Sequence, residues 1–199
     1  MLFHQSIIYQ LRYFTFVLRV AKDKQYDKII LGIDPGTIVT GFGVIEKISN
    51  QISYVASGQI KANAASIPER LTTIFAGIEE VTAKFFPDLV VVEQAFAHKN
   101  MATAIKLGQA RGVAMVAASK TGCNVYEYTP RQIKQAVVGS GGADKSQVQH
   151  MVKAILNLPS TPQADAADAL AVALCHGNSH QSLEKLAGQA KKTVRGRLR

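Results

Sequence analysis

The sequence has few cysteines and no long apolar run. Cys123 and Cys175 stand far apart, with no CxxC spacing and no histidine pair nearby. They therefore indicate neither a disulfide framework nor a zinc site, and we expect a reducing compartment, the cytoplasm. No apolar stretch reaches the roughly 18 residues that a membrane-spanning helix needs, so we expect no membrane association.

The middle of the chain has almost no net positive charge, although the whole chain carries +9. Residues 29–183 hold twelve lysines and arginines against eleven acids, and the excess lies in residues 1–28 and 184–199. A basic chain favours a nucleic-acid partner. Because basic termini are at least as often merely solvated, net charge alone leaves a DNA partner open.

The length of 199 residues suits one well-buried domain rather than two. Residues 1–27 mix aromatic and aliphatic side chains with Arg12 and Arg19, and they lack the unbroken apolar centre of a signal peptide. We expect this stretch to be an extension outside the fold, arising from an upstream start codon or a non-native addition. The domain is then predicted at 28–178, followed by a basic tail at 179–199.

Hydrophobic periodicity and turn residues predict five strands and five helices. The strands are expected at 29–34, 41–48, 52–60, 88–93 and 124–128. The helices are expected from a capping box at Ser66 to about Phe86, and at 101–120, 130–138, 144–157 and 162–176. Three hairpin-linked strands followed by two that are reached through helices predict an α/β protein with a five-stranded mixed sheet flanked by helices. This is the element order of the ribonuclease H-like fold.

Four acids form the most informative pattern. Asp34 ends the first predicted strand and Glu93 ends the fourth, while Asp165 and Asp168 are three residues apart and share one face of a helix. A single acid at a strand end more often just marks the approach to solvent. Two strand ends together with a helical pair indicate a carboxylate cluster, whose oxygen ligands favour Mg²⁺ or Mn²⁺. Two such ions would suit hydrolysis of a phosphodiester.

Six blocks, in order over about residues 29–178, resemble the RuvC family of crossover-junction endodeoxyribonucleases. They are LGIDPGTIVTGFGVI, VVEQAFAHKN, KLGQARGVAMVAA, RQIKQAVVG, DKSQVQHMV and LPSTPQADAADALAVA. The resemblance implies a Holliday-junction resolvase that makes paired, symmetric, metal-dependent cuts in DNA recombination and repair. It implies Mg²⁺ as cofactor, two ions per active site with Mn²⁺ as a substitute, and Asp34, Glu93, Asp165 and Asp168 as catalytic and metal-binding residues. Histidine also occurs at the Asp165 position in some relatives.

The resemblance also implies DNA-binding residues and partners. Phe96, in the loop after the fourth strand, is expected to engage bases of four-way junction DNA, although an aromatic residue in such a loop is more often part of the core. Lys134 and Lys145 fall in basic blocks and are expected to contact phosphates near the cut, the alternative being ordinary surface cations. The implied assembly is a homodimer that works with the branch-migration proteins RuvA and RuvB.

The predicted helix at 101–120 carries a stripe of small and apolar residues. Interior glycines cost about 1 kcal/mol each relative to alanine, so they indicate close approach of another backbone. The sequence leaves open whether that backbone is the domain's own sheet or a second subunit. The stripe consists of Met101, Ile105, Gly108, Gly112, Met115 and Ser119.

Three other functions remain to be weighed. Another nuclease or transferase of the same fold, acting on RNA or as a transposase, would use the same acids. The motif GIDPGT also resembles the first phosphate-binding turn of actin-like and sugar-kinase-like ATPases, but these need two such domains. A non-catalytic DNA-binding module would be hindered by four acids, because they repel phosphate.

Overall fold

The computed structural model describes residues 27–94 and 100–193, with side chains described for 28–94 and 100–178. One five-stranded sheet has the order β3-β2-β1-β4-β5. β1, β2 and β3 are antiparallel, whereas β4 is parallel to both β1 and β5. The predicted mixed sheet is therefore confirmed. The strands are β1 (Asp27–Asp34), β2 (Val39–Ile48), β3 (Gln51–Lys61), β4 (Leu89–Glu93) and β5 (Asn124–Tyr128).

Within residues 27–94 and 100–193, five helices cover the two faces of the sheet. Ser66, Thr129 and Asp144 each begin a helix with a reciprocal capping box, which satisfies backbone donors that the first turn leaves unpaired. The capping box predicted at Ser66 is thus confirmed. The helices are α1 (Ile67–Phe85), α2 (Met101–Ser119), α3 (Pro130–Val138), α4 (Lys145–Ile155) and α5 (Ala164–Thr193).

Side chains of the central strands alternate between two cores, as the period of two requires. Ile30 and Val91 belong to a core with α3, α4 and α5. Leu31 and Val90 belong to a second core with α1 and α2. The alternation places Asp34 on the same face of β1 as Ile30, and Glu93 on the same face of β4 as Val91. Both acids therefore face the side of the sheet that carries α5.

Helix α5 lies against bare backbone of β1 and β2. A Cβ atom at Gly32 would lie 2.2 Å from the carbonyl oxygen of Ala169, and one at Gly41 would lie 2.1 Å from that of Asp165. A Cβ atom at Gly43 would lie 2.6 Å from the backbone nitrogen of Leu170. These separations are too short for any side chain. The three glycines therefore allow the first half of α5 to approach the sheet closely.

Helix α5 is longer than the sequence analysis predicted. The predicted end at 176 is wrong, because the helix continues to Thr193. Gly177 and Asn178 resemble a helix stop, but Gly177 instead lies where the helix crosses the sheet. A Cβ atom there would lie 3.1 Å from Cδ1 of Ile52, and the buried Lys47 donates from Nζ to the Gly177 carbonyl at 2.8 Å. The division into a domain at 28–178 and a tail at 179–199 stays a prediction, and α5 runs across it.

Two other expectations concern the N-terminal stretch and membrane-spanning helices. The predicted N-terminal extension, residues 1–27, lies almost entirely outside the described residues, although β1 already begins at Asp27. Among the helices within 27–94 and 100–193, none is long and apolar enough to cross a membrane.

Candidate active site

The first two acids meet because β1 and β4 are parallel neighbours that end together. Ile33 pairs with Val92, so the next residues along the two strands, Asp34 and Glu93, are adjacent. A side-chain hydrogen bond joins these two residues. The end of β1 is held by a tight turn, in which the Thr40 hydroxyl donates to the Gly36 carbonyl at 2.9 Å.

The other two acids come from the first turns of α5. Asp165 and Asp168 are three residues apart, so they project from the same side of the helix. Because α5 rests on the glycines of β1 and β2, this side faces the strand ends. One carboxylate oxygen from each of Asp34, Asp165 and Asp168 lies within 4.8 Å of the others. The structure thus brings together the four acids that were predicted from the sequence. Glu93 is linked to the other three by its hydrogen bond with Asp34.

Burial of these acids, together with their mutual repulsion, raises two pKa values. Burial, followed by the negative charges of Asp168 and Asp165, raises the pKa of Asp34 to about 6. Burial, followed by the charges of Asp34 and Asp168, raises the pKa of Glu93 to about 8. Glu93 therefore carries the proton of the hydrogen bond and donates it to Asp34. At neutral pH, therefore, not all four carboxyl groups of the cluster are ionised.

Two lysines partly offset this negative charge. Lys145, the first residue of α4, places Nζ 2.7 Å from Oδ2 of Asp168. This hydrogen bond, together with the nearby acids, raises the pKa of Lys145. Lys134 on α3 is half-buried, and its charge lowers the pKa of Glu93, although by less than burial and the neighbouring acids raise it. Both predicted phosphate-binding lysines thus lie beside the acids rather than scattered over the surface.

Gln59 on β3 is a polar residue of this site that was not predicted from the sequence. Its amide nitrogen donates to Oδ2 of Asp165 at 2.7 Å. Period-two alternation along β3 indicates which face Gln59 occupies. Only the pairing of Gln59 with Gly41 places it beside the end of β1, and that register cannot be read from β3 alone.

The predicted base-contacting residue, Phe96, lies outside the described residues. Its loop connects Glu93 to α2, so the loop starts at the acid cluster.

A second surface lies along the outer side of α2. Met101 is 78% exposed, Ile105 57% and Val116 56%. Cβ atoms at Gly108 and Gly112 would meet nothing within 4 Å. The buried side of α2 consists instead of alanines. Within the part of the chain that the structure describes, these two glycines therefore face no backbone of their own domain. Packing of the stripe against the domain's own sheet, one of the two alternatives that the sequence left open, is thus not observed.

Comparison with known proteins shows the same family over most of the chain. A family model described as crossover junction endodeoxyribonuclease RuvC matches residues 30–176. The crossover junction endodeoxyribonuclease RuvC of Colwellia psychrerythraea is 61% identical over 86% of this chain and 99% of its own length. Its counterpart from Pseudoalteromonas atlantica is 57% identical, also over 86% of this chain and 99% of its own length.

Solved structures agree with the sequence relatives. RuvC of Thermus thermophilus in complex with a Holliday junction substrate matches with a TM-score of 0.72 and 37% identity, over 78% of this chain and 96% of that chain. The yeast mitochondrial Holliday junction resolvase Ydc2 matches with a TM-score of 0.60, over 82% of this chain and 85% of that chain. At 12% identity this second likeness shows the fold alone.

The raised pKa of Glu93 predicts a pH-dependent cost to stability. A carboxyl group whose pKa is higher in the folded than in the unfolded state lowers the stability of the fold as the pH rises above its unfolded pKa. For Glu93 this loss extends from about pH 4.5 to about pH 8. With metal removed by EDTA, Glu93→Gln should therefore be more stable than the wild type at pH 8 by about 1–2 kcal/mol. The difference should vanish near pH 4. Chemical denaturation across this pH range measures it.

The control is Glu80→Gln, which changes an exposed glutamate on α1. It should follow the wild type at every pH. An equal stability of Glu93→Gln and the wild type at pH 8 would contradict the electrostatic description of the cluster.

Proposed function

The chain belongs to the RuvC family of crossover junction endodeoxyribonucleases, and we propose that it resolves Holliday junctions by paired, symmetric, metal-dependent hydrolysis of phosphodiesters. Curated relatives that are 61% and 57% identical carry the name of this activity. The T. thermophilus relative has been solved with a Holliday junction substrate. The observation that carries the mechanism is the meeting of four carboxyl groups, two from strand ends and two from α5, at one edge of the sheet.

The donor set fits Mg²⁺, with Mn²⁺ as a substitute. Every candidate ligand is a carboxylate oxygen, which is the donor that these hard cations prefer. The three oxygens of Asp34, Asp165 and Asp168 are close enough to share a cation. Burial, followed by repulsion from neighbouring acids, raises the pKa values of Asp34 and Glu93, and a bound cation would offset that repulsion. We assign Asp34, Glu93, Asp165 and Asp168 as the residues that hold two cations per active site.

Bound cations would supply an activated water for attack and would stabilise the departing oxygen. The protein's own residues prepare the site for this chemistry. Glu93 holds a proton at neutral pH and must release it for all four acids to act as ligands. Lys145, at the edge of the cluster with a largely exposed side chain, is placed to contact the phosphate that is cut. Lys134 lies close enough to Glu93 to add positive charge on the same side.

Family membership and the acid cluster disfavour two of the three alternatives. An actin-like or sugar-kinase-like ATPase is disfavoured, because the RuvC model covers residues 30–176, the whole of the sheet and most of its helices. A non-catalytic DNA-binding module would gain nothing from four buried or half-buried acids, which repel phosphate. A nuclease of the same fold that acts on RNA would use the same acids, so the substrate requires a direct test.

A homodimer is the assembly that we infer, with α2 at its interface. A four-way junction with two-fold symmetry needs two cuts, and a C₂ dimer supplies two active sites. The exposed side of α2 presents apolar side chains and two glycines that permit close approach of a second backbone. We also propose a cytoplasmic location, because the substrate is DNA. The branch-migration proteins RuvA and RuvB are the proposed partners. Phe96 remains the proposed contact to junction bases.

Cleavage of synthetic DNA tests the function directly. In Mg²⁺, the wild type should nick a four-way junction symmetrically and leave linear duplex and an RNA–DNA hybrid intact, and EDTA should abolish cutting. Loss of residues that merely orient metal ligands typically costs about 10–100-fold, so replacing the ligand itself in Asp34→Asn should lower the rate by at least about 100-fold. Junction binding should persist, because the variant removes a charge that repels phosphate.

The exposed Glu80→Gln serves again as the matched acid-to-amide control and should cut like the wild type. Cutting of the hybrid instead of the junction would move the substrate to RNA. Full activity of Asp34→Asn would remove the carboxylate cluster from the mechanism.

The dimer interface is tested with a charge on α2. Ile105→Asp should weaken self-association by about 30-fold or more, the equivalent of about 2 kcal/mol for a central interface residue. Sedimentation equilibrium measures the dissociation constant. Ile48→Asp is the control, since Ile48 is 49% exposed but lies at the end of β2. Equal dissociation constants for the two variants would rule out α2 as the interface.

A further inference from the structure

Gln59 occupies a defined place in a row of residues that crosses three strands. Asp34 pairs with Gly41 on β2, and Gly41 pairs with Gln59 on β3. Directly opposed residues in antiparallel strands point to the same face. Asp34 and Gln59 therefore flank Gly41 on the side of the sheet that carries α5.

The missing side chain at Gly41 leaves room between these two flanking residues. A Cβ atom at Gly41 would lie 2.1 Å from the backbone oxygen of Asp165 and 3.3 Å from its Cβ. The first turn of α5 thus rests on Gly41, with Asp34 on one side and Gln59 on the other. The carboxylate of Asp165 faces Asp34 within the acid cluster and accepts a hydrogen bond from Gln59 at 2.7 Å.

We propose that Gln59 is a positioning residue, whose amide orients the Asp165 carboxylate for cation binding. The inference rests on the proposed function, since it assigns a role within the same site. Outer partners of metal ligands fix the direction of the ligand lone pairs, and ligating carboxylates are commonly held in this way. With Oδ2 held by the Gln59 amide, the Asp165 carboxylate can no longer rotate freely about its Cβ–Cγ bond.

The neutral amide matters as much as its position. Asp168 is held by the Lys145 ammonium, which neutralises part of the charge that a cation needs. An amide at Asp165 donates a hydrogen bond without adding positive charge, so it does not compete electrostatically with a cation. A glutamate at this position would instead add a like charge to the crowded cluster. The two helix acids are therefore held by two chemically different partners.

Measurement of Mn²⁺ binding without DNA tests this role independently of cleavage. The full chain is titrated with Mn²⁺, and the free ion is followed by electron paramagnetic resonance. Gln59→Leu, which keeps the size of the side chain but removes the donor, should bind the most affected Mn²⁺ about 10-fold more weakly than the wild type. Gln59→Asn, whose amide is one methylene too short to reach Asp165, should behave in the same way.

Gln51→Leu is the matched control, because Gln51 lies on the same strand but pairs with Ile48, far from the acids. It should bind Mn²⁺ like the wild type. In junction cleavage, Gln59→Leu should raise the Mg²⁺ concentration needed for half-maximal rate by about the same factor, with little change at saturating Mg²⁺. A merely structural role would lower the rate at every Mg²⁺ concentration.

The outcomes separate the two proposals. If the wild type cuts junctions and both Gln59 variants bind Mn²⁺ as tightly as the wild type, the positioning role is wrong while the function stands. If the wild type binds Mn²⁺ but does not cut junctions, the proposed function fails, and the change in Mn²⁺ affinity still decides the role of Gln59.

Discussion

The close contact between α5 and the backbone of β1 and β2 brings the two helix acids to the two strand-end acids and so completes the site. Strand-end acids can meet each other through parallel pairing alone, as Asp34 and Glu93 do. Asp165 and Asp168 are more than 70 residues farther along the chain than Glu93, and they reach the strand ends only because Gly32, Gly41 and Gly43 leave no side chains in the way. Glycine weakens a strand interior, so these residues lower the local stability of the strands while they allow α5 to approach closely.

This arrangement places mutually repelling carboxyl groups side by side, which favours the cation binding of the proposed function. Burial and the charges of the neighbouring acids raise the pKa of Glu93 to about 8, so Glu93 is not ionised at neutral pH without a further counter-charge. The protein supplies only part of that charge, through Lys145 and Lys134. The pKa values of Asp34 and Glu93 remain raised, so the site retains a proton that a bound cation would displace. Binding sites for cations are commonly built in this way, because metal affinity is gained from ligands that repel one another in its absence.

Much of the fold and of the site could be predicted from the sequence, because each signal was local. Strand ends, capping boxes and the three-residue spacing of Asp165 and Asp168 are read within a few residues of each other. The end of α5 was predicted wrongly, because the helix continues past Gly177, which lies against Ile52 on β3. Gln59 was missed for a similar reason: its role depends on pairing with Gly41 in a strand pair whose register shifts between Val44 and Ile45. Contacts of this kind exist only between elements.

Diffraction from crystals soaked in Mn²⁺ is the most direct test of the central claim, that acids of α5 and of the strand ends bind cations jointly. The account predicts an anomalous peak at ligand distance, roughly 2.0–2.3 Å, from carboxylate oxygens of Asp34 and of at least one α5 acid. The hydrogen bond between Gln59 and Asp165 should be retained. A peak that involves only strand acids or only helix acids, or no peak at the cluster, would contradict it.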